Sequence, residues 1–358
     1  MSVEMKKNPI TISKTCPMKD NYYGDEKERM NRVPPPTHSV ISFILIAFLA
    51  IAMMVSKEEL DENATIDLFT HRLFPDLLSL QGLVFVRTMF AIFIWGITIL
   101  TVFFDEGWIT QTTYVSTSKL SQSNIVMRGI HTQFPYTSVT WNLLGCSMAS
   151  SAFIAYQATA SRTSTISPWL LRFSLLCWEA TAPNTLLVSA VVKYVIWPGC
   201  LKRNGTSANC RSWRSLIWHN ANAAMSLSEA FFLGGLPVYV SHISISIILG
   251  CVYVLFSWCY MYSWPTTTTA IIEEAKVTKK GRPNFLYFFM DTTLGWTATY
   301  SIYALLLTLM VFQFLFAMMG KLLFLLSQHQ DDDDLQSKFL IHLFFGILIF
   351  GAVCRFRD

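Results

Sequence analysis

The residues best suited to chemistry share one apolar stretch, Trp218–Phe232, which reads WHNANAAMSLSEAFF and holds His219, Asn220, Asn222, Ser226, Ser228 and Glu229. An imidazole and a carboxylate are expensive to place in a membrane helix, so their presence there calls for a use. At about 100° per residue, His219, Asn222, Ser226 and Glu229 fall within an arc of roughly 80°. A polar stripe of this kind either zips helices together by hydrogen bonds or lines a cavity. His219 and Glu229 are ten residues apart, about 15 Å along a helix axis, too far to bond each other. Glu229 needs its own partner or a proton, and Arg87 is the candidate partner.

A hydroxyl beside an imidazole is the usual way to activate an oxygen nucleophile. Thr137 and Thr140 stand near the start of one apolar segment, His219 near the start of the next but one, and Asp291 near the start of the next but one after that. Segments that alternate in direction bring these three starts to one depth, and Lys193 approaches it from the segment between. Such a hydroxyl, imidazole and carboxylate suit a hydrolytic site, with Asn220 or Asn222 as donor to an oxyanion. The same residue types are also tolerated where helices meet lipid headgroups.

The elements that must position these residues are membrane helices. Of 358 residues, 53% are hydrophobic and 14% charged, against roughly 25% charged in soluble domains. The expected fold is all-α, a polytopic bundle. Apolar runs of the roughly 17–25 residues a span needs occur at 39–56, 82–104, 136–158, 174–197, 216–234, 238–262, 294–319 and 338–354. The chain thus divides into a polar, disordered tail (1–38), an added span and loop (39–81), a six-span core (82–319), and an acidic loop with a C-terminal span (320–358). Pro34-Pro35-Pro36 stiffens the approach to the first span, and Gly234-Gly235-Leu236-Pro237 makes a tight turn.

With the tail in the cytosol, 19 Lys and Arg fall on the cytosolic side and 5 on the other, so both termini are expected inside. Asn63-Ala64-Thr65 then faces outward as a candidate glycosylation site, and Asn204-Gly205-Thr206 faces inward. The basic charge, including Lys279-Lys280-Gly281-Arg282, reflects loops beside anionic lipid; membrane lipid is the expected partner, not nucleic acid. The 8 cysteines do not form a disulfide framework or show zinc spacing. Cys354, next to Arg355 and Arg357, reads as an unmodified thiol before an acylation site. Asp331–Asp334 reads as a solvated acidic patch rather than a metal site. Trp141, Trp197, Trp218, Trp258 and Trp296 read first as interfacial anchors. There is no phosphate loop, dinucleotide fingerprint, His-Glu-x-x-His or Gly-x-Ser-x-Gly, so neither a cofactor nor a metal is expected.

The His219…Glu229 spacing, followed by Tyr253 and Trp258 and then by Tyr287-Phe288-Phe289-Met290-Asp291, resembles the androgen-induced protein family of six-span membrane hydrolases. The related rolling-stone-like proteins share the last two features. The resemblance covers roughly residues 82–319. It implies an intramembrane hydrolase of fatty acid esters of hydroxy fatty acids, with a Thr nucleophile (Thr137, or Thr140) and His219 as base. Asp291, Asn222 and Glu229 support the site. Phe288 stands where the family has Pro. A transporter, lipid-handling or scaffold protein is the alternative, with Glu229, Glu179, Lys193 and Arg87 along a path.

Overall fold

The computed structural model describes residues 37–112, 118–120, 123–160, 165–204, 207–208, 210–268, 276, 283–328 and 335–357. Residues 1–36 of the tail, Lys279-Lys280-Gly281-Arg282, the Asp331–Asp334 run, and Gly205 and Thr206 of the second sequon lie outside these residues. The described chain is predominantly helical. The long helices are α1 (Thr37–Ala52), α4 (Leu80–Ile99), α5 (Tyr136–Thr159), α6 (Pro168–Val191), α10 (Ile243–Tyr260), α11 (Trp296–Gln328) and α12 (Leu335–Val353). Shorter ones are α2 (Lys57–Asn63), α3 (Ile66–Thr70), α7 (Trp197–Asn204), α8 (Trp213–Leu216) and α9 (Asn222–Phe231).

By length and apolar composition, 5 helices can cross a membrane, or 6 if the bent pair His38–Ala52 and Lys57–Thr70 is one broken span. The chain is thus built as a multi-pass membrane protein. The 39–56 run becomes α1 and then bends by 61° into the polar helix α2, whose Lys-Glu-Glu-Leu-Asp-Glu-Asn sequence has no apolar face wide enough for lipid. Helix α5 and the α8–α9 rod are not among the 5. Their Ser, Thr and Asn residues lower their hydropathy, and they can carry these because other helices cover them.

Burial sorts the bundle. The apolar window of the α6 rod is 83% buried, while that of α12 is 11% buried. Helix α6 is therefore central, packed against α5, α9, α10 and α11, with α4 outside α5. Phe85, Ile92 and Phe103 on the α4 rod, and Phe344 and Ile347 on α12, present apolar surface outward, which suits lipid. Pro183 lies inside α6; lacking an N–H, it leaves the Glu179 carbonyl without its helical donor. The α6 rod then loosens into a π turn at Val192–Ile196.

The loops are less plain than an all-α reading expects. Strands β1 (Trp108–Gln111), β2 (Asn124–Met127) and β3 (Thr266–Thr267) form a small antiparallel sheet at one end of the bundle. The tryptophans also differ from interfacial anchors. Trp141, Trp197, Trp218 and Trp258 are buried, and only Trp296 of the five is exposed. The Trp141 Nε1–H donates to the Ile94 carbonyl, 3.1 Å away, so an indole fastens α5 to α4. Cys354 is buried in the main core, which favours the unmodified thiol over acylation.

Candidate functional site

The α8–α9 rod is not one regular helix. Ile217–Ala221 forms a π turn between α8 and α9, a distortion that often marks functional positions because it widens the helix and re-aims a side chain. His219 sits in it. Its carbonyl accepts a hydrogen bond from the Ser189 hydroxyl of α6 at 2.5 Å. Its Nδ1 is buried with no partner among the described residues.

One turn further, Asn222 is fully buried, and neither end of its amide finds a partner there. The Ser226 hydroxyl is in the same condition. Asn184 of α6 donates to the Ala180 carbonyl at 2.6 Å, but its Oδ1 is also unpartnered. On α5, so is the Ser147 hydroxyl. Buried polar atoms almost always have partners, so this run across α5, α6 and α9 asks for water or a polar ligand.

Helix register shows what lies level with His219. Ser150 and Ser151 of α5 meet Ser174 of α6 at 2.9 and 2.8 Å. From Ser174 to Ser189 is about 22 Å of helix, and the same distance back along α5 reaches its first turn. Thr137 and His219 thus both lie at the Ser189 end of α6. The Tyr287 hydroxyl accepts from the Tyr136 N–H at 3.3 Å, which brings the segment before α11 to this level too.

The shared depth is not a shared hydrogen-bond chain. The Thr137 side chain lies against the Tyr287 hydroxyl, within a set of rings that includes Tyr136 and Tyr253, 5.0 Å apart. Thr140 donates its hydroxyl to the Thr137 carbonyl at 2.9 Å. The Asp291 carboxylate accepts from the Ser118 hydroxyl and, at 2.9 and 2.7 Å, from the N–H and hydroxyl of Thr293. It is not bonded to His219. Asn220 donates to the Arg355 carbonyl at 2.8 Å, so Asn222 is the amide left free to meet a ligand. Lys193 donates to the Gly351 and Ala352 carbonyls at 2.6 and 2.8 Å and caps α12.

At the other end of the stripe, Glu229 is completely engaged. Arg87 donates from Nε to Oε2 at 3.0 Å and from Nη2 to Oε1 at 2.5 Å, a fork-to-fork pair. The Gly234 N–H donates to Oε1 at 3.2 Å, and Arg87 Nη1 donates to the Phe69 carbonyl at 2.6 Å. Both side chains are fully buried. This pair ties α4, α3 and the turn after α9 to one another.

Glu179, which the sequence offers for a transport path, is a second buried acid, and its partner His242 is the residue that spacing alone does not single out. Glu179 on α6 accepts from the Tyr239 N–H at 2.9 Å and meets His242 Nδ1 at 2.6 Å. His242 Nε2 faces Asn63 Nδ2 and Glu59 Oε1, each at 3.5 Å. The candidate glycosylation residue Asn63 is therefore half-buried against an imidazole. Among the described residues no group of three or more His, Cys, Asp and Glu is arranged to hold a metal. Compared with known proteins, the chain matches no family model, no curated protein and no solved structure.

Proposed function

We propose that this multi-pass membrane protein admits a lipid ester to the polar compartment around His219 and hydrolyses it. The observation that carries the reading is the unpartnered set of His219 Nδ1, Asn222 and Ser226, a buried stripe that begins at the depth of Thr137. Thr137 attacks the ester carbonyl while His219 takes its proton. The same proton goes to the departing hydroxyl, and water then releases the acyl group from Thr137 with His219 again as base. Asn222 Nδ2 donates to the oxyanion. Exposed apolar helix faces suit an acyl chain arriving from the bilayer. The resemblance to the androgen-induced family points the same way. For this chemistry Thr137 must turn from Tyr287 toward His219.

The second reading is lipid handling without catalysis. The engagement of Asp291 by Ser118 and Thr293 favours it, because His219 then lacks an orienting carboxylate. A reactive acyl probe applied to the full chain in membranes separates the two. The hydrolase reading expects labelling that is lost in both Thr137→Ala and His219→Ala. Full labelling in both variants defeats it, and a lipid ester that co-purifies without any labelling supports the second reading.

A further inference from the structure

We propose that Glu59, His242 and Glu179 form a proton-exchange site, carrying protons between the α2 surface and the bundle interior. Glu59 is 40% exposed at its side chain, whereas His242 and Glu179 are 0% exposed. Among the described residues His242 bridges them, with Nε2 toward Glu59 and Nδ1 on Glu179. The contrast with Glu229 is instructive. That acid meets a guanidinium, which never gives up its proton. Glu179 meets an imidazole, the side chain whose charge changes near neutrality.

The surroundings hold few other charges. From α2 come Glu59 and Asn63, while Asp61 turns to Arg172 of α6. The segment before α10 adds the Tyr239 ring, 5.1 Å from His242. Helix α10 adds Ser244, whose buried hydroxyl has no partner among the described residues. Helix α11 adds the uncharged Gln313, held by Ser246 at 2.6 Å.

The exchange balances simply. A proton reaching Nε2 makes an imidazolium, and the Nδ1 proton passes to Oε2 of Glu179. The carboxyl ends neutral, and the imidazole keeps its proton on Nε2. Return follows the reverse order. Glu179 and Ser189 are ten residues apart on α6, about 15 Å, so this site stands apart from the His219 compartment and does not depend on the hydrolase reading.

Infrared difference spectra of the full chain in lipid nanodiscs, taken after a pH jump, test it. Subtracting the Glu179→Gln spectrum from wild type should leave one titrating carboxyl band. That band should form more slowly in His242→Gln and Glu59→Gln and at an unchanged rate in Asp61→Asn. Superimposable wild-type and Glu179→Gln spectra overturn the proposal, as do equal rates in Glu59→Gln and wild type. If Glu179→Gln does not fold, the Glu59→Gln rate decides alone, because that side chain is half exposed and its exchange leaves the core intact.

Discussion

The two ends of the Trp218–Phe232 stripe have opposite fates. At Glu229 every polar atom is used: two bonds from Arg87 and one from the Gly234 N–H. At His219, Asn222 and Ser226, four buried polar atoms lack partners among the described residues. One helix thus carries a closed electrostatic joint at one end and an open polar surface at the other. A buried charge that is fully paired holds elements in place, and removing one partner strands the other. Polar atoms left open cost stability unless something arrives to meet them. The first arrangement is architecture; the second is a place for water or a ligand.

The largest effect should come from breaking the joint. Glu229→Gln or Arg87→Met leaves one buried charge alone and should cost about 3–5 kcal/mol. Thermal unfolding of purified protein in detergent checks it; a loss under 1 kcal/mol would mean the pair is solvated. Gly234→Ala attacks the same joint without touching a charge. A β-carbon there would overlap Arg87 Nη2 and stand 2.5 Å from Glu229 Oε1. The fork must shift, for an expected loss of about 1–3 kcal/mol by the same measurement.

The open end should answer in the other direction. Ser226→Ala deletes a buried hydroxyl with no protein partner, so stability should hold or rise by up to about 1 kcal/mol. Asn222→Leu should behave similarly while abolishing acyl-probe labelling. A loss in Ser226→Ala as large as that of Glu229→Gln would make this end helix glue, the other meaning of the stripe. The comparison would then collapse into a single structural role.

Part of this contrast is legible in the chain. The ten-residue separation already rules out a His219–Glu229 bond, and Arg87 stands out as the cation inside an apolar run. The Gly234 N–H and Phe69 carbonyl that complete the joint are backbone groups from other elements, which residue types do not advertise. The level of Thr137, His219 and Asp291 follows from alternating helix direction. Their side-chain directions do not, since these depend on the π turn at 217–221 and on rings from Tyr253 and Tyr287. His242 was within reach of the same argument. Glu179 and His242 both lie early in segments four and six, which run the same way, so the second buried acid had an imidazole at its own depth. The sheet at β1–β3 was hidden because strands of two to four residues carry too little alternation to register.

The smallest expected effect lies at the surface beside the proton-exchange site, where Arg172 grips Asp61 at 2.5 and 2.8 Å. The Arg172 hydrogen bonds hold the Asp61 carboxyl below its ordinary value. A carboxyl lowered on folding stabilises the protein fully above its unfolded pKa. That contribution fades as pH falls through the lowered one. Wild type should therefore melt slightly above Asp61→Asn at neutral pH, and the two curves should converge in acid. The gap should stay small, because an exposed pair gains little in high dielectric and is screened by salt. A gap that instead widens toward acid would mean that Asp61, not Glu59, is the carboxylate coupled to His242.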